Sequence, residues 1–196
     1  MNRALLAIVA LLLIVGLLVA AVVTSSYNRL VRLDEQVETA WSQVENVYQR
    51  RADLIPNLVE TVRGARDFER ETLNDVVEAR SRVGQTTVTG VPSAEELAQF
   101  EAAQDSLTSA LSRLLVVVER YPELSATQSF RDLQVQLEGT ENRIAVERRR
   151  FNEEAQKLNT AIRQFPTVLV ARLFGFEKRP YFTAVEGADE PPRVEF

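Results

Sequence analysis

From Ala4 to Val23 the chain reads ALLAIVALLLIVGLLVAAVV, 20 consecutive residues without a polar side chain. As a helix rising about 1.5 Å per residue this run spans roughly 30 Å, the thickness of a bilayer's hydrocarbon core. A buried helix of a water-soluble protein is rarely this long and this apolar on every face. A cleaved signal peptide is the closer rival, since Arg3 gives a weakly positive start and Ala20 and Ala21 are small. Its apolar region is usually about 7 to 15 residues and leads into a small-x-small cleavage box. This run is longer, and no clear box follows it, so the reading is a single-pass transmembrane anchor. Arg3 lies on one side and Arg29 and Arg32 on the other, a near-balanced count that leaves the side of the soluble part open.

Beyond the anchor, apolar residues recur at steps of three and four, the period of a helix that buries one face against others. From about residue 25 to 84 the seam is Leu30, Leu33, Val37, Ala40, Val44, Val47, Arg51, Leu54, Leu58, Val62 and Ala65, flanked by Trp41 and Tyr48. Pro56 removes one backbone donor and predicts a kink there, not necessarily an end. The pattern resumes past Gly64 with Phe68, Leu73, Val76, Val77 and Val83. Gly84 to Pro92 reads as a loop. No glycine separates the anchor from this helix, so the two can be continuous.

Ser93 and Glu96 have capping-box spacing and predict a second helix with a seam of Leu97, Phe100, Gln104, Leu107, Leu111, Leu114 and Val118. Tyr121-Pro122 ends it. A third helix is expected from about Ser125 to Arg163. Its seam is Phe130, Leu133, Leu137, Glu141, Ile144, Arg148, Phe151, Ala155, Leu158, Ile162 and Phe165, and it is the natural antiparallel partner of the first. After Phe165-Pro166, residues 167–174 suit a short fourth helix capped by Gly175. The expected fold is all-α: a transmembrane anchor (1–24), a bundle of three main helices plus a short one (25–182), and an acidic, proline-containing tail (183–196) that is loose or partner-dependent.

The chain contains no His and no Cys. That removes the usual general base, the thiol nucleophile, the common ligands of zinc and haem, disulfides and a lipidated cysteine. No cofactor is expected, and an enzyme is not. A formal charge of −5, with basic and acidic residues interspersed along the helices, is a poor footprint for a phosphate backbone, so nucleic acid is not an expected partner. Only Lys157 and Lys178 of the 23 basic residues are lysines.

The informative residues are the charges on apolar seams: Arg51 on the first helix, Glu141 and Arg148 on the third. A charge in a seam costs free energy unless paired, so these should meet each other or a neighbouring carboxylate such as Asp53. One antiparallel register places Arg51 opposite Glu141; another places it opposite Arg148, which like charge disfavours. Such a cluster either fixes helix register or forms an interface between protomers or with a partner. Arg148-Arg149-Arg150 reads as a solvated, ion-paired face, with attraction to anionic lipid as the alternative. The aromatic end, Phe165, Phe174, Phe176, Tyr181 and Phe182, either plugs the bundle or forms an exposed contact strip.

Several stretches resemble the LemA family signature: Tyr27-Asn28-Arg29-Leu30-Val31, the run from Ala40 to Val59 (AWSQVENVYQRRADLIPNLV), Tyr121-Pro122-Glu123-Leu124, the run from Leu137 to Val146 (LEGTENRIAV), Phe151-Asn152 and Phe165-Pro166. The match covers nearly the whole chain, in order. The resemblance implies a bacterial inner-membrane protein with an N-terminal transmembrane helix, an antiparallel bundle and no established enzymatic activity. Members often occur beside a membrane metalloprotease gene, and a relative in magnetosome-forming bacteria is associated with membrane invagination. The shared motif marks Arg50, Arg51, Asp53, Asn57, Glu141, Asn142 and Arg143 as candidate structural or interface residues. Glu147 departs from the usual family run, which has a small residue and Arg there. The expected role is a scaffold that self-associates as a homo-oligomer and organises or shapes membrane lipid. The alternative is an adaptor or sensor presenting the bundle to a membrane partner such as a protease.

Overall fold

The computed structural model describes residues 3–64, 69–86, 88 and 90–183, and every regular element among them is helical. The elements are α1 (Arg3–Arg63), α2 (Arg70–Gln85), α3 (Ala94–Val118), α4 (Pro122–Ser125), α5 (Gln128–Ala161) and α6 (Thr167–Phe174). The apolar run read as an anchor and the first bundle helix are one uninterrupted helix of 61 residues, roughly 90 Å long at about 1.5 Å per residue. Its two parts bury opposite kinds of surface. Leu5, Leu11, Leu17 and the other large apolar side chains as far as Val22 stand exposed, while Val23 packs partly against the bundle. From Leu30 onward the seam residues Val37, Ala40, Val44, Leu58 and Val62 are buried.

One expectation needs correction. The helix predicted over 25–84 is two helices, because the chain reverses between Arg63 and Arg70. Ala65 and Phe68, assigned to the seam, lie outside the described residues. The pattern hid the reversal because Val62 and Leu73 are 11 residues apart, about three helical turns, so the apolar period stays in phase across the break. Gly64, a poor helix former, was the only local sign.

Contacts between charged and polar side chains fix the directions. Arg51 meets Glu141 and Trp41 meets Phe151, so α5 runs antiparallel to α1. Arg113 meets Asp75 and Arg120 meets Glu69, so α3 runs antiparallel to α2. The bundle is therefore up-down-up-down, with α1 and α3 leading away from the anchor and α2 and α5 returning. The capping box at Ser93 and Glu96 forms as predicted, the Glu96 carboxylate accepting from Ser93 N–H at 2.8 Å. Thr127 caps α5, whose start lies slightly later than expected because Pro122–Ser125 forms a separate turn.

Pro56 does not end α1; its ring lies on the exposed side and the helix continues past it. Because proline has no N–H, the carbonyl of Ala52, four residues earlier, loses its helical partner. Arg80 of α2 takes that place, its Nε donating to the Ala52 carbonyl at 3.1 Å. The residue that weakens α1 thus creates a docking point for the next helix.

Candidate functional site

The core divides into two apolar clusters. The cluster far from the anchor is built from Ile55, Leu58, Val62, Val76, Leu107, Leu114, Phe130 and Leu133 among others. The nearer one includes Leu30, Val37, Trp41, Val44, Leu97, Phe100, Phe151 and Leu158. Between them lies a polar layer around Arg51, which stands on the α1 seam seven residues after Val44 and seven before Leu58. Heptad spacing returns each of these positions to the same face, so the guanidinium is carried inward with its neighbours.

Arg51 is 1% exposed. Its Nη1 donates to Glu141 Oε1 at 2.6 Å and to Thr108 Oγ1 at 3.0 Å. Its Nη2 donates to the side-chain oxygen of Gln104, and its Cζ lies 5.1 Å from the Tyr48 ring centroid. Nε finds no hydrogen-bond partner among the described residues. Glu141 keeps 45% of its side chain in solvent, so the pair joins a desolvated cation to a partly hydrated carboxylate. Glu141, rather than Arg148 or Asp53, is the partner; Asp53 instead accepts from Gln49 on the surface.

Arg148 forms a second pair about two turns along α5. It meets Glu101 at 2.7 Å, donates to the Thr183 carbonyl at 3.1 Å and lies over the Phe182 ring at 4.6 Å. Burial pushes the Glu101 carboxyl above its ordinary value, with Arg148 opposing the shift. Burial also raises Tyr48, against the pull of Arg148 and Arg51. Arg149 and Arg150 face solvent with loose ion pairs to Glu153 and Glu147, as the solvated-face reading expects. Arg50, Asn57, Asn142 and Arg143 are exposed like Asp53. The structure therefore separates the predicted set into a buried arginine with its part-exposed carboxylate partner, a half-buried neighbour and five surface residues.

The segment after α6 was the least legible part. Gly175 ends the helix with φ of 76°, a left-handed conformation that favours glycine, and Phe176 N–H reaches back to the Ala171 carbonyl. Residues 176–183 then run antiparallel to α5 as an extended strap. The Asn159 side chain pairs with both backbone groups of Arg179 at 2.8 Å, and Asn152 does the same for Phe182 at 3.0 and 2.8 Å. The spacings match: seven residues of helix and three of extended chain each cover about 10 Å. Phe182 is thereby inserted against Trp41 and Phe151, while Arg179 meets Asp34 at 2.8 Å. Of the aromatic end, Phe182 is core and Phe176 half-buried, whereas Phe165, Phe174 and Tyr181 are exposed. Phe165 leaves the α5 seam to which it was assigned because that helix ends at Ala161.

Long bundles seldom leave a cleft, yet one opens where α2 gives way to α3, with a volume of about 510 Å³. Glu45, Tyr48, Arg80, Phe100 and Gln104 line it. Burial raises the Glu45 carboxyl.

Sequence reasoning missed Thr108, Glu101, Asn159 and Arg179, and noted Asn152 within the family signature without a role. Gln104 had a visible signal, since it occupies an apolar seam position just as Arg51 does.

A LemA family model matches residues 40–196. The chain belongs to the LemA family. Its LemA match begins at Ala40, so the apolar part of α1 lies outside it. Magnetosome protein MamQ 2 of Paramagnetospirillum magneticum is 26% identical over 184 residues, covering 84% of this chain and 67% of that protein. MamQ of Magnetospirillum gryphiswaldense is 26% identical over 183 residues, with the same coverages. Protein LemA of Metamycoplasma hominis is 26% identical over 168 residues, covering 86% of this chain and 72% of that protein.

Proposed function

We propose that this LemA-family chain is a non-enzymatic scaffold of the bacterial cell membrane, whose anchored bundle self-associates and organises or shapes the bilayer. One observation carries the reading: the helix that exposes its large apolar side chains from Leu5 to Val22 is the same helix whose later turns form the bundle core. A bundle joined to its span without a linker holds a fixed angle to the bilayer, and copies that associate impose that angle on one another. The similarity to proteins named for magnetosomes supports a role at a membrane.

Arg51 is enclosed within its own bundle, which supports a register role for it. The exposed motif residues Arg50, Asn57, Asn142 and Arg143 are the interface candidates. Native mass spectrometry of the full chain in gentle detergent should show oligomers that shift towards monomer in Arg50→Ala/Arg143→Ala. Only monomers in both proteins, with vesicles left unchanged in electron micrographs, would sink the reading.

The cleft beside Tyr48 favours a second reading, an adaptor that receives a segment of a membrane partner such as a protease. Proximity labelling would then return one dominant partner, lost in Tyr48→Ala or Arg80→Ala variants that still fold.

A further inference from the structure

The short helix α6 has an outward face that the bundle leaves uncovered. Thr167, Val170 and Ala171 pack inward, while Phe165, Leu169 and Leu173 follow one another at steps of four and are 81%, 60% and 75% exposed. Phe174 beside them is 51% exposed. Four large apolar side chains on so short a segment are more than the scattered exposure normal for a soluble surface.

The position of this face says what covers it. Phe174 and Phe176 pack on Tyr27 of α1, with ring centroids 4.8 and 5.9 Å away. Tyr27 lies four residues beyond Val23, the last residue of the apolar run, or roughly 6 Å along the helix axis. The headgroup layer on each side of a bilayer is roughly 5 to 8 Å thick. Through Phe174 and Phe176 the strip is thus held beside α1 just past the end of the apolar run, which on the reading of α1 as an anchor is headgroup depth.

Charge agrees with this placement. Between Arg163 and Phe182 there are four basic residues, Arg163, Arg172, Lys178 and Arg179, and one acidic residue, Glu177, in a chain whose net charge is −5. Arg179 is engaged by Asp34, and Arg163, Arg172 and Lys178 are exposed. An apolar face edged by cations is the composition of a helix lying in the interface of an anionic membrane.

We propose that α6 and the aromatic turn after it form a foot that lies in the lipid headgroup layer beside the span, inserting Phe165, Leu169 and Leu173. This rests on the reading of α1 as a membrane anchor. The foot gives the bundle a second point of contact with the bilayer and so fixes its rotation about the span.

The chain lacks cysteine, so single Cys residues placed at Leu13, Leu169, Leu173 and Val135 can each carry a bimane label in the full-length protein. The labelled proteins are reconstituted into phosphatidylcholine vesicles containing phosphatidylglycerol and nitroxide lipids of two depths. Leu13 lies mid-span, and Val135 is an exposed site roughly 50 Å beyond the span by the antiparallel register. Expected is loss of emission at 169 and 173 with the shallow nitroxide, at 13 with the deep one, and at 135 with neither. Quenching at 13 without quenching at 169 and 173 leaves the anchor standing and overturns the foot. Blue-shifted but unquenched emission at 169 and 173 overturns it in favour of a second copy covering the strip. Absence of quenching at 13 removes the anchor, and the foot with it.

Discussion

Arg51 shows how one side chain divides a core. Removing only its partner leaves a desolvated cation facing neutral acceptors, so Glu141→Ala should lower unfolding stability by about 2 kcal/mol, the half-exposed carboxylate moderating the loss. Replacing the layer by apolar groups of similar volume is a different experiment. Arg51→Met/Gln104→Leu would join the two clusters and should remain within about 1 kcal/mol of the parent, while amides of α5 exchange faster because its register is less strongly specified. Chemical unfolding in detergent with hydrogen exchange measures both. A double variant less stable than Glu141→Ala would show that the layer stabilises the bundle instead of aligning it. Two carboxylates should respond oppositely to pH. Glu101 is raised above its ordinary 4.5 by burial, so its contribution to stability is fully present below that value and is lost as pH rises through the folded-state value. Glu96 is lowered by its hydrogen bonds to Ser93, so its contribution is present above 4.5 and lost as pH falls through the folded-state value. Along a pH series, Glu101→Gln should gain on the parent as pH rises from 4.5, and Glu96→Gln should lose ground as pH approaches 4.5 from below. Slopes of the same sign for the two variants would refute this assignment.

At the scale of elements, the coupling of Pro56 to Arg80 can be isolated. Arg80→Ala leaves the Ala52 carbonyl without a partner and should cost about 1 to 2 kcal/mol. In Pro56→Ala the backbone N–H returns to that carbonyl, so the same Arg80 substitution should cost much less. A double-mutant cycle with no coupling energy would dismiss the connection. The same pair illustrates what was legible. Seam positions, the Ser93 capping box, the span of α6 and its Gly175 cap were readable because each is a local pattern with a local cause. The reversal after Arg63 was not, because the apolar period survived it. Asn152 and Asn159 were not either. On a helix they read as ordinary polar surface, and their partners lie 30 and 20 residues away in a strap with no regular structure of its own. Of the candidate site, the Arg51–Glu141 register was one of two that antiparallel direction left open, the one that like charge did not disfavour, whereas Glu101 became a partner of Arg148 only through the tertiary contact between α3 and α5.

The molecule as a whole is an apolar N-terminal helix continuous with a bundle, a polar layer dividing that bundle, and a strap that returns along the half of the bundle nearer the apolar run. The short α2 and the strap cover successive stretches of α1, from Val62 back to Ala52 and from Trp41 back to Tyr27. On the proposed reading of α1 as a membrane anchor, the helix is a rod embedded at one end and acts as a lever, with about 40 residues projecting beyond the hydrocarbon as an arm of roughly 60 Å. Bilayers of different thickness tilt a span to different degrees. A tilt of about 10° carries the far end of this arm sideways by about 10 Å, so a small difference in lipid thickness becomes a displacement about the width of a helix.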